Sequence, residues 1–120
     1  MRTNDLDYLN HQIKTFCTDR DWDQFHNPKD LAIGITTEAS ELLDCFRFQN
    51  EGQSKALFND ATRREQIEDE FADIMFFLLR FADMYEIDIV KVVERKIEKN
   101  TVKYPVEKAR GNNKKYTAYE

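Results

Sequence analysis

Three glycines and two prolines in 120 residues leave this chain few places to turn. Glycine and proline punctuate helices and close tight turns. Their scarcity lets helices run long and disfavours a fold of many short strands. The apolar residues follow suit. Leu6, Leu9, Ile13, Phe16 and Cys17 recur at three- and four-residue spacing, which puts them on one face of a first helix from about Asp5 to Asp19. The segment Asp21 to Asn27 reads as a loop. Asn27-Pro28 is a start signal, asparagine as N-cap and proline at the first helical position, for a second helix continuing to about Phe48. The polar stretch Asn50 to Asp60, which holds a glycine, reads as a loop with room for one short turn. Asp60 or Thr62 caps a third helix reaching about Tyr85. Asp88 caps a fourth, with Ile89, Val92, Val93 and Ile97 on its buried side. It ends near Tyr104-Pro105, because the residue before proline avoids the helical region. A polar, mildly basic tail follows from Val106 to Glu120. The expectation is an all-α fold: one domain over 1–120, a helical bundle of about four main helices.

Charge and composition narrow the partners. With 41% hydrophobic and 34% charged residues, the chain is too apolar to be disordered. A net charge of −5 argues against binding nucleic acid through a basic face. A phosphate ligand stays open if a cation screens the acids. Cys17 and Cys45 form no CxxC and fall inside helical patterns, so they read as small buried hydrophobes of a reduced compartment. The first residues hold no apolar signal core, and the run Ile74 to Leu79 is far too short to span a bilayer. The expectation is a cytoplasmic protein with no membrane partner.

That run carries a second message. Six consecutive apolar residues, at roughly 100° each, point all round a helix, whereas a surface helix of a small monomer needs a wet side. Either the other helices wrap the third one completely or a second subunit covers part of it. The second is the expectation, as a homodimer or homotetramer.

Acids occupy positions where apolar residues belong. On the second helix Glu38 falls in the stripe Leu31, Ile35, Leu42, Cys45, and Glu41 lies one turn on. On the third, Glu70 falls within the stripe Ile67, Phe71, Ile74, Phe77, Leu78, Phe81, and Asp73 lies on its edge. One ExxE in so charged a chain is ordinarily a solvated face. Two such pairs in apolar stripes of neighbouring helices are not. A buried carboxylate without a partner costs several kcal/mol or becomes neutral, and four together repel. Neither stripe carries a Lys or Arg beside these acids, which leaves a divalent metal as the better partner. Hard oxygen ligands suit Mg²⁺, Mn²⁺ or Ca²⁺. Zinc would recruit His or Cys, and a di-iron bundle needs Glu-x-x-His, which His11 and His26 do not supply. Mg²⁺ keeps positions open for water and substrate phosphates, so phosphate chemistry is the natural use of the site.

Glu38-Ala-Ser-Glu41 followed by Glu70-Phe-Ala-Asp73 resembles the ExxE…ExxD signature of the MazG-like nucleotide pyrophosphohydrolases, and most of all their dCTP pyrophosphatase branch. The similarity also takes in Asp21-Trp22-Asp23-Gln24-Phe25-His26, Lys99-Asn100-Thr101-Val102-Lys103-Tyr104-Pro105, Ala109-Arg110-Gly111 and Lys114-Lys115-Tyr116-Thr117. The resemblance implies an all-α bundle assembled as a dimer or dimer of dimers. It implies hydrolysis of a (deoxy)nucleoside triphosphate, dCTP or a related or modified dNTP, to the monophosphate and pyrophosphate in nucleotide-pool house-cleaning. Glu38, Glu41, Glu70 and Asp73 match the family's Mg²⁺ ligands, with Mn²⁺ a possible substitute. Glu38 or Glu41 would orient the water that attacks the α-phosphorus. Trp22 and His26 would line the base pocket; without the resemblance they read as a loop anchor and a loop residue beside a cap. Asn100 matches a residue that hydrogen-bonds the nucleotide, Lys96 one turn earlier would meet a phosphate, and Tyr104 matches a position near the substrate. Alone, Lys96 reads as a solvated lysine and Tyr104 as a helix-end closure.

Two positions depart from the family pattern. Phe48 stands where the dCTP-preferring relatives carry a second tryptophan, and Phe77 where they carry a tyrosine one turn past the ExxD. Phe48 can still stack on a base, while Phe77 lacks a hydroxyl. The base preference is therefore open, with dUTP and phosphoribosyl-ATP as other candidates, because buried hydrogen bonds discriminate far better than apolar contacts. The contrasting reading, from a different class, is a non-catalytic helical module whose acids hold a structural cation or a basic partner.

Overall fold

The computed structural model of the protein describes residues 5–119. Among these every regular element is helical. α1 spans Asp5–Asp19, α2 Pro28–Asp44, α3 Glu51–Ala56, α4 Ala61–Met84, α5 Ile89–Lys103 and α6 Val106–Ala109. Short 3₁₀ turns cover Asp23–Phe25, Leu57–Asn59 and Tyr116–Ala118. The all-α expectation holds. No helix among the described residues is long and apolar enough to cross a membrane.

Side-chain caps explain most boundaries. Asn27 accepts from the Asp30 amide at 2.9 Å, with Pro28 in the first turn of α2. Asp60, rather than Thr62, caps α4 by accepting from the amides of Thr62 at 3.0 Å and Arg63 at 3.2 Å. Asp88 caps α5 by accepting from the Lys91 amide at 3.1 Å. Each satisfies amides that have no partner inside their own helix.

Two boundaries differ from expectation. α2 stops at Asp44, and residues 45–48 turn away and end on Phe48 in the left-handed region at φ 65°. The stretch expected to be a loop holds α3. There Asn50 Oδ1 accepts from the Gln53 amide at 2.8 Å and Gln53 Oε1 accepts from the Asn50 amide at 2.9 Å. This reciprocal capping box holds a helix start despite Gly52 and Ser54.

The chain divides into two compact units, one up to Tyr85 and one from Glu86 onward. In the first, α1 and α2 both pack on α4. Leu31, Ile67, Leu79, Ala82 and Cys17 form the buried centre. Gly34 sets the closeness of α2 and α4: a Cβ there would meet the Phe77 ring at 2.8 Å. Both cysteines are free thiols, Cys17 buried and Cys45 half-buried. Of the six-residue apolar run only Leu79 is buried, and Leu78 is 44% exposed. In the second unit α5 is followed by α6 and a short 3₁₀ turn that stacks Tyr116 and Tyr119 edge-on to Tyr104. The expected buried stripe of α5 is only partly so: Ile89 and Val92 are half-buried, but Val93 and Ile97 are more than half exposed.

Candidate active site

α2 and α4 are the longest helices and lie side by side. The three-residue spacing of each acidic pair turns both pairs toward the same seam. One carboxylate oxygen from each of Glu38, Glu41, Glu70 and Asp73 lies within 4.8 Å of the other three. Glu38 and Glu70 are half-buried, while Glu41 and Asp73 are exposed. Glu38 Oε2 and Glu70 Oε2 are buried without any hydrogen-bond partner.

Such crowding has a proton signature. Burial, helped by a hydrogen bond that the protonated Glu38 carboxyl donates to Glu41 and by the charges of Glu41, Asp73 and Glu70, pushes the Glu38 carboxyl up to about 7. Glu70 is also raised, first by its hydrogen bond with Glu41 and then by burial and the neighbouring acids. Without a cation, the cluster tolerates itself only by holding protons. The donor set is all hard oxygen, and two donors are orphaned at its buried end. That chemistry fits a hard divalent cation.

Beside the acids opens a cavity of about 540 Å³, into which Glu38 and Asp73 both project. Its other walls are Gln12, Ile13 and Phe16 of α1, Trp22 of the following loop, and Phe76 and Phe77 of α4. Phe16 meets Trp22 edge-on with ring centroids 5.5 Å apart and Phe76 at 5.8 Å. Flat aromatic walls next to a carboxylate cluster suit a ligand with a flat apolar part and an anionic part that a cation bridges.

The remaining candidates scatter. Trp22 and Phe77 line this cavity. His26 is turned to Arg80, whose Nε donates to His26 Nδ1 at 3.0 Å, and it is not among the lining residues. Burial and the adjacent guanidinium lower the His26 pKa, so the ring stays neutral. Phe48 is 91% exposed beyond the end of α2, with the Arg47 guanidinium 4.9 Å from its ring centre. Lys96, Asn100 and Tyr104 belong to α5 and its C-cap in the second unit. Sequence reading missed Gln12, Ile13, Phe16 and Phe76 as cavity walls. It also missed Arg80, the lone Lys or Arg in the second half of α4, a signal that was there to find.

The model of the MazG-like family matches residues 33–118, which include all four acids. The chain belongs to that family. Its curated relatives include dCTP pyrophosphatase 1 of Homo sapiens and of Rattus norvegicus, each 29% identical over 102 residues, or 85% of this chain. The Bos taurus protein of the same name is 30% identical over the same length. The chain spans 60% of the length of these curated relatives. Among solved structures, a pyrophosphatase from Archaeoglobus fulgidus superposes with a TM-score of 0.79 at 32% identity, over 88% of this chain and 96% of that one. A MazG-like helical fold is thus established by sequence and by shape together.

Proposed function

We propose that this single MazG-like domain is a divalent-cation-dependent nucleoside triphosphate pyrophosphohydrolase. It hydrolyses dCTP, or a related or modified dNTP, to the monophosphate and pyrophosphate, and so clears it from the nucleotide pool. The observation that carries this reading is the convergence of four carboxylates, two with orphaned buried oxygens, on the rim of an aromatic cavity. The likeness to proteins named pyrophosphatases supports it.

Glu38, Glu41, Glu70 and Asp73 would hold Mg²⁺, with Mn²⁺ as a substitute. A divalent ion held by these residues would supply charge neutralisation to the substrate phosphates. Glu41 is exposed where Glu38 is half-buried, so Glu41 is assigned to orient the attacking water. The base enters the cavity between Trp22 and Phe77, with Gln12 as the neutral polar group beside it. Lys96, Asn100 and Tyr104 keep nucleotide-binding roles on the family likeness alone, as do His26 and Phe48. Self-association as a homodimer or homotetramer is part of the proposal. It is supported by apolar side chains left open on the first unit, among them Leu43 at 68% and Phe71 at 59% exposure.

The test is product analysis. Purified protein with Mg²⁺ and each dNTP in turn should release pyrophosphate and the monophosphate from at least one. Release of orthophosphate would contradict α–β cleavage, and no turnover of any nucleotide would favour a non-catalytic cation-holding module.

A further inference from the structure

Arg80 is 3% exposed, the one buried charged residue among those described. Burying a guanidinium is costly unless each of its donors is used. Here its Nε donates to His26 Nδ1 at 3.0 Å, one terminal nitrogen pairs with Asp23 Oδ1, and the other lies 4.0 Å from Asp83 Oδ2. Asp83 is on α4 itself. Asp23 and His26 are not: they bracket the 3₁₀ turn Asp23–Phe25, directly after Trp22. Asp23 is fixed a second time, accepting from Thr18 Oγ1 at 3.4 Å. On the near side of the turn, the Trp22 amide donates to Cys17 O at 2.9 Å.

The same helix therefore carries two devices. Asp73 and Arg80 are seven residues apart, two turns on one face and about 10 Å along the axis. One end supplies acids to the candidate active site, and the other grips the loop that carries an aromatic wall of the cavity. Neither His26 nor Asp23 lines that cavity, whereas Trp22, directly before them in the chain, does.

We propose that Arg80 is a positioning residue: by holding Asp23 and His26 it fixes Trp22 at the cavity wall, and thereby sets affinity for the nucleotide base without acting on the bond that is cut. This rests on the cavity being the base site. The planar fork is essential, because Nε and a terminal nitrogen bind two partners in different directions at once, which a lysine ammonium at the end of a flexible stem cannot reproduce. Neutral His26 accepts at Nδ1, as the pairing requires.

Trp22 is the only tryptophan, so its fluorescence reports on this loop alone. Arg80→Met keeps much of the side-chain volume and removes the fork. Asp23→Ala cuts the same pairing from its solvent-facing side, where the Asp23 side chain is 51% exposed, and serves if the buried variant does not fold. In folded variants, confirmed by far-UV circular dichroism, acrylamide quenching of Trp22 should rise at least about twofold. KM for the preferred nucleotide should rise on the order of tenfold, with kcat changed less than about threefold; a tenfold loss of binding corresponds to about 1.4 kcal/mol. Arg80→Lys should recover less than half of the loss. Unchanged quenching together with unchanged KM would overturn the proposal, and so would a fall in kcat at constant KM. If the native protein turns over no nucleotide, the proposed function fails, while the quenching comparison still decides whether Arg80 holds Trp22.

Discussion

Glu38 is where the site's physics is most exposed to test. Its carboxyl, pushed up to about 7, is protonated in the metal-free folded protein at a pH where an unfolded chain would have lost that proton. The folded state therefore binds more protons across this window. The stabilisation is fully present below the ordinary carboxyl range and is lost as pH rises through about 7. The Tm of metal-free protein should fall as pH is raised from about 5 to about 8, and Mg²⁺ should restore more of it at the upper end, where it competes with fewer protons. A Tm that rises over that interval in the metal-free protein would contradict the burial of Glu38. Unit charges about 4 Å apart repel by about 4 kcal/mol at a surface-like dielectric, against roughly 1 kcal/mol net for an ordinary hydrogen bond. Proton sharing alone is thus a poor answer at neutral pH. Glu41→Gln and Asp73→Asn should remain folded and lose on the order of 100-fold or more in turnover; near-normal rates in either would remove that residue from the ligand set. These acids were legible in the sequence because charge inside an apolar stripe demands a partner. Arg80 obeys the same rule and was overlooked, since its partners lie 54 and 57 residues away in sequence.

Between elements, the seam of α2 and α4 depends on Gly34. Alanine there gains up to about 1 kcal/mol of helix propensity. The Phe77 ring, however, sits 2.8 Å from where the new methyl would go, and overpacking of this kind costs about 1–3 kcal/mol. The net expectation for Gly34→Ala is a Tm lower by several degrees and a raised KM, because the displaced ring is a wall of the cavity. A higher Tm with unchanged KM would mean that the ring yields freely. The long helices were readable from period and caps, since Asn27, Asp60 and Asp88 announce their starts. α3 was not, because its capping box joins Asn50 to Gln53 across a glycine, and a short polar helix has no apolar period to find. The end of α2 was misplaced for a related reason: Phe48 fits the apolar pattern, but its backbone turns left-handed, a conformation no periodicity records. The aromatic cavity was half visible. Trp22 and Phe77 were named from likeness, whereas Phe16 and Phe76 read as ordinary core until α1 was seen against α4.

For the whole molecule, the apolar surface left on the first unit predicts assembly. Ile33, Leu43, Phe71 and Leu78 are each 44–68% exposed, and a second copy that covered them would gain by their burial. Sedimentation at micromolar concentration should give a dimer or tetramer, and a monomer would refute that claim. Catalysis at this site requires that the four acids bind a cation. The direct measurement is titration of metal-free protein with Mn²⁺ at about pH 7.5, following the free-ion signal by electron paramagnetic resonance. Native protein should deplete that signal saturably, and Glu38→Gln and Asp73→Asn should do so at least about tenfold more weakly. Equal depletion by native protein and both variants, or none by any of them, would contradict a cation held by Glu38, Glu41, Glu70 and Asp73.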